Sequence, residues 1–99
     1  MRITNEQIIA IRNIAKKCGG DGARVLLFGS RLNHDSIGGD VDLLLELPLP
    51  IDNPALLAAR VGALVSRAVQ GRRVDILLSA PNLLRLPIHE IAYSQGKLL

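Results

Sequence analysis

The apolar positions of this chain fall into two patterns, spaced stripes and unbroken runs. Ile8, Ile11, Ala15 and Cys18 recur at the interval that gathers side chains on one helical face, and they predict a helix over 4–18. Its start is marked by Thr4-Asn5-Glu6-Gln7, where Thr4 caps the first turn, Gln7 reaches back to the cap and Ile3 is placed to staple onto Ile8. Gly19-Gly20 ends it. A second stripe, Leu57, Val61, Leu64, Val65 and Ala68, follows Asp52 or Asn53 as cap and Pro54 at the first helical position, and Gly71 closes that helix. A short third helix starts at Pro87, runs through Ile88, Ile91 and Ala92, and stops at Gly96.

The unbroken runs read as strands. Val25, Leu26, Leu27 and Phe28 predict a strand over 23–28 that is covered on both faces. Gly29-Ser30 breaks it, and the polar stretch 31–39, ending in Gly38-Gly39, reads as a loop or a single helical turn. A second strand over 41–47 is stopped by Pro48 and Pro50, and a third over 73–78 exits at Pro81. The order helix, strand, strand, helix, strand, helix predicts an α/β (α+β) fold, a small mixed β-sheet packed against helices. No repeat, linker or low-complexity segment divides the 99 residues, so 1–99 reads as one domain.

Composition narrows the function classes. A hydrophobic share of 48%, nearly all aliphatic, favours a folded protein over disorder. No apolar run approaches the roughly 18–20 residues of a membrane span, and the N-terminus lacks a basic-then-apolar signal, so a cytoplasmic location is expected. A single cysteine, Cys18, leaves no intramolecular disulfide or cysteine-built metal site, and its spacing from Ile11 assigns it to the core. The net charge of +3 raises nucleic acid as a partner, but the basic residues are scattered and Phe28 and Tyr93 are the only aromatic platforms for bases. Direct nucleic-acid binding is therefore disfavoured. His34 and His89 have no zinc-site spacing and read as structural or solvated. Ser79, Tyr93 and Ser94 have no local nucleophile-base pattern, which argues against a covalent hydrolase.

The acids carry the chemistry. Asp40 and Asp42 sit two apart where a strand opens, so their carboxylates project from one face. Alone, such a tripeptide is commonly a surface strand end. Asp75 opens a second apolar strand, and if the two strands are neighbours, three carboxylates converge; the plainer alternative makes Asp75 a partner of Arg72 or Arg73. Crowded acids resist ionisation without a cation. Mg²⁺ takes oxygen ligands and keeps positions open for phosphate oxygens, and two ions about 3.5–4 Å apart can hold attacking and leaving oxygens in line. Gly29-Ser30 follows its strand directly, where glycine admits a close ligand and Ser30 can donate to phosphate; Arg31 can add a guanidinium or be a solvated surface residue.

Taken together, Leu27-Phe28-Gly29-Ser30-Arg31 and Gly38-Gly39-Asp40-Val41-Asp42-Leu43, followed by Asp75 after a helix, resemble the nucleotidyltransferase superfamily that includes DNA polymerase beta. Within that superfamily, the same residues resemble the minimal nucleotidyltransferases of bacteria and archaea more closely, and these are small enough to match nearly the whole chain. The resemblance implies the nucleotidyltransferase fold, with the cleft along one edge of a short mixed sheet. It implies that Gly29, Ser30 and Arg31 contact the triphosphate of ATP or another NTP, that Asp40 and Asp42 bind Mg²⁺, one ion or two, and that Asp75 completes the site as ligand or base. Many minimal members are antitoxins that neutralise a helical HEPN-domain toxin, by direct binding or by transferring adenylate to it, so such a partner is expected here.

Two rival readings come from other classes. The chain can be a non-catalytic nucleotide-binding module that masks its partner, for which exposed leucines are expected around Leu83, Leu84, Leu86, Leu98 and Leu99, unless these are ordinary core. A glycosyltransferase-like acid pair is the other, but the chain is small for it and Asp75 has no part in it. Oligomer formation is left open.

Overall fold

The predicted elements form, with one addition. The computed structural model describes residues 3–29 and 40–99, so Ser30, Arg31, His34 and the expected loop or turn over 31–39 lie outside the described residues. The elements are α1 (Asn5–Gly19), β1 (Arg24–Phe28), β2 (Val41–Glu46), α2 (Pro54–Ala68), β3 (Val74–Ser79), α3 (Pro87–Gln95) and β4 (Lys97–Leu98). The strands make one mixed sheet in the order β3-β2-β1-β4, in which β1 runs antiparallel to β2 and β4, and β2 runs parallel to β3. A parallel pair needs a long crossover, which α2 supplies.

The unbroken apolar runs are explained by burial on both faces. Val25, Leu27, Val41, Leu43 and Leu45 pack into the main core with Ile11 and Ala15 of α1 and Val61 and Val65 of α2. On the opposite face Leu26, Phe28 and Leu44 pack with Ala92 of α3. Cys18 is partly buried against the main core, as its helical spacing predicts.

The caps follow the sequence closely. Gln7 N–H donates to Thr4 Oγ1 at 3.1 Å while Gln7 Oε1 accepts from Thr4 N–H at 2.9 Å. Asn53, and not Asp52, caps α2, accepting from Leu56 N–H at 3.2 Å. That helix ends with Gln70 and Gly71 in left-handed conformation (φ 63 and 78), the amide of Gly71 reaching the Ser66 carbonyl at 2.7 Å. The first turn of α3 is tied down by a buried side chain: His89 Nδ1 accepts from Leu86 N–H at 2.9 Å, which leaves Nε2 to donate to the Leu78 carbonyl at 2.8 Å. His89 is thus structural, joining α3 to the end of β3.

β4 is the element that the sequence does not announce, because two residues after a glycine stop carry no periodicity. It pairs with β1 through Leu26↔Leu98 and Leu27↔Lys97. The leucines divide: Leu84, Leu86 and Leu98 are exposed, whereas Leu83 and Leu99 pack against the main core. Among the described residues no helix is long and apolar enough to cross a membrane.

Candidate functional site

The sheet register brings the predicted acids together. Along the parallel β2–β3 pair, Asp42 is the partner of Asp75, two steps before Leu44 is the partner of Leu77. Paired residues on neighbouring strands share a face, and Leu44 and Leu77 belong to the α3 side, so both carboxylates lie on that side where the two strands begin. Asp40, two residues before Asp42, falls on the same side. So does Arg73, two residues before Asp75, and its Nε stands 3.9 Å from Asp40 Oδ2 and 3.7 Å from Asp75 Oδ1. Both of those carboxylates are about half exposed.

Gly29 closes the other side of the site. Its neighbour Phe28 is the antiparallel partner of Asp42. Gly29 has φ +74, and a Cβ there would run into the Asp42 carboxylate. Two constraints therefore require glycine, a left-handed backbone and an acid packed against it. The chain turns out of β1 with its backbone beside Asp42, a placement suited to a ligand that needs both a carboxylate-held cation and backbone contact.

As the side chains stand, no group of at least three His, Cys, Asp or Glu among the described residues is close enough to hold a metal ion. Asp40 and Asp75 instead share the Arg73 guanidinium, so the alternative reading of Asp75 as an arginine partner is realised in the structure. The arginine supplies positive charge that neighbouring acids require. Among the described residues the donor set, carboxylate oxygens from adjoining strands with no sulfur or imidazole, still suits a hard divalent cation. Asp40, Asp42 and Asp75 are the residues that would hold it.

Comparison with protein-family models, curated proteins and solved structures finds no significant match. What the site can do follows from its residues. Carboxylate oxygens beside a backbone bend could hold a hard cation together with phosphate oxygens.

A second polar cluster lies at the far end of the same sheet face. Tyr93 of α3 donates its hydroxyl to Glu46 Oε2 at 2.5 Å and approaches Ser79 Oγ at 3.0 Å. Arg24 lies 3.6 Å from the other Glu46 oxygen, and the Arg85 guanidinium covers the Tyr93 ring at 4.3 Å. Burial, and next the hydrogen bond to Glu46, push the Tyr93 hydroxyl above its ordinary pKa, the opposite of what an activated nucleophile needs. The cluster anchors α3. Sequence reasoning missed it because Glu46, Ser79 and Tyr93 are far apart in the chain. Arg73 is one of the two partners that the sequence offers Asp75, and its approach to Asp40 is the part with no local signal.

Proposed function

We propose that this chain is a Mg²⁺-dependent nucleotidyltransferase that moves a nucleoside monophosphate, AMP from ATP in the first instance, to a hydroxyl acceptor and releases pyrophosphate. The observation that carries the reading is the direct pairing of Asp42 with Asp75 across parallel strands, with Asp40 on the same side. The acceptor oxygen bonds to the α-phosphorus, the bond from that phosphorus to the oxygen bridging the β-phosphorus breaks, and pyrophosphate leaves with that oxygen. The acceptor proton passes to Asp75 or to solvent. Mg²⁺, when bound, neutralises charge on the phosphates. Asp40 and Asp42 hold that charge in place, and Gly29 lets the chain bend beside them. Ser30 and Arg31 are assigned to the triphosphate by the resemblance to minimal nucleotidyltransferases. By the same resemblance, the acceptor hydroxyl would belong to a helical HEPN-domain toxin in the cytoplasm, which the chain would neutralise as its antitoxin.

A second reading, a nucleotide-binding module that masks its partner without chemistry, is favoured by the exposed apolar residues Leu84, Leu86, Ile88, Ile91 and Leu98. Pyrophosphate release from ATP with Mg²⁺, compared between wild type and Asp42→Asn, tests the transfer. Release by the wild type and its loss in the variant support it, and equal behaviour contradicts it. Mass spectrometry of a co-expressed HEPN-type partner separates the readings: a nucleotide-sized mass increase belongs to the enzyme, and binding without it to the mask.

A further inference from the structure

The helices behind the sheet carry an unbalanced charge. Arg12, Lys16 and Lys17 of α1 and Arg60 and Arg67 of α2 stand against one acid, Glu6. Among the described residues none of these five bases is in an ion pair. Three of them converge on one place. Lys17, Arg60 and Arg67 surround a shallow groove of about 420 Å³ along the α1–α2 seam, whose floor is Cys18, Ala63 and Leu64. Cys18 and Leu64 are half-buried, while Ala63 and the three bases are exposed.

We propose that this groove docks an acidic, amphipathic segment of a partner protein, its apolar side on Leu64 and Ala63 and its carboxylates toward Lys17, Arg60 and Arg67. The partner's chemistry is read from the groove. Unpaired bases around the rim call for negative charge, and a floor of small and aliphatic side chains calls for an apolar residue among the charges, the arrangement of a protein interface with an apolar centre and polar rim. A nucleic-acid backbone would satisfy the rim and leave the floor unused, and neither α1 nor α2 has an aromatic residue on which a base could stack. The groove lies on the α1–α2 side of the sheet, opposite the α3 side that carries Asp42 and Asp75, so the inference stands independently of the proposed transfer reaction.

The test uses the full chain without nucleotide and three fluorescein-labelled probes followed by anisotropy. The first is a helix-forming peptide rich in Glu with Leu at i and i+4. The second has those Leu changed to Ser, and the third is a single-stranded oligonucleotide of equal charge. The expected result is that the Leu-containing peptide binds at least about tenfold more tightly than either control and loses about tenfold or more of its affinity with Arg67→Glu, as for removal of a rim charge with reversal of its sign. It is also expected to slow alkylation of Cys18, the only thiol, which reports the location. Should Arg67→Glu fail to fold, as judged by circular dichroism, Lys17→Glu on the opposite wall serves the same purpose. Absence of peptide binding, binding unchanged by the charge reversals, an unprotected Cys18, or tighter binding of the oligonucleotide overturns the proposal.

Discussion

Asp42 and Asp75 face each other as direct partners across the parallel β2–β3 ladder. Like charges set opposite one another on a sheet destabilise it, and Asp40 adds a third acid to the same side. Arg73 meets Asp40 and Asp75 and is itself largely exposed, so solvent screens its charge. The proposed function assigns the stronger compensation to a divalent cation.

Replacing Arg73 exposes that division. An exposed ion pair contributes at most about 1 kcal/mol, so Arg73→Gln is expected to cost little stability without metal. The acids it leaves uncompensated should then gain more from Mg²⁺ than in the wild type. Thermal unfolding with and without Mg²⁺ measures this: the metal-induced rise in Tm should be larger in Arg73→Gln, and an equal or smaller rise counts against a shared cation site.

Gly29→Ala attacks the other wall. A left-handed backbone and a Cβ directed into the Asp42 carboxylate both oppose the substitution, which should destabilise the fold by about 1–2 kcal/mol. It should also weaken Mg²⁺ binding, because Asp42 must move. Urea denaturation gives the first quantity and titration calorimetry the second; a destabilised variant with full Mg²⁺ affinity would separate Gly29 from the site.

The helices and strands were legible because each meets its own local rule. Thr4 and Gln7 form the capping box, Pro54 follows its Asn53 cap, and the apolar runs around Leu26 and Leu44 are buried on both faces. The acids were legible as a group because two separate apolar strands open on them, and the β2–β3 register then sets Asp42 beside Asp75. Pairing is where local rules end. Nothing near Glu46 points to Tyr93, nothing near His89 points to the Leu78 carbonyl, and Lys97–Leu98 is too short for a period. Such contacts form only when the sheet brings distant segments together.

His89 tests one of these long-range links. Its imidazole satisfies the Leu86 amide and the Leu78 carbonyl while only 4% exposed. His89→Ala leaves these two backbone groups without that partner and should cost about 2–3 kcal/mol. Denaturant unfolding should register the loss. A change under about 0.5 kcal/mol, the range of ordinary surface substitutions, would show that α3 is anchored elsewhere.

Tyr93 gives the fold an alkaline limit. Burial first, and then the hydrogen bond to Glu46, raise the pKa of its hydroxyl in the folded protein. The folded state thus favours the neutral phenol. The associated stability is fully present below the unfolded value of about 10 and is lost as pH rises through the higher folded value. Stability measured from pH 8 to 11 should fall more steeply for the wild type than for Tyr93→Phe, and parallel curves would contradict the assignment.

The central claim, that Asp40, Asp42 and Asp75 act together on one divalent site, is tested most directly by Mn²⁺ binding, followed by electron paramagnetic resonance in the presence of ATP. Wild-type protein is predicted to bind Mn²⁺, and Asp75→Asn to bind it at least about tenfold more weakly, in keeping with removal of one charged ligand. Equal Mn²⁺ affinity in the two proteins would contradict the account.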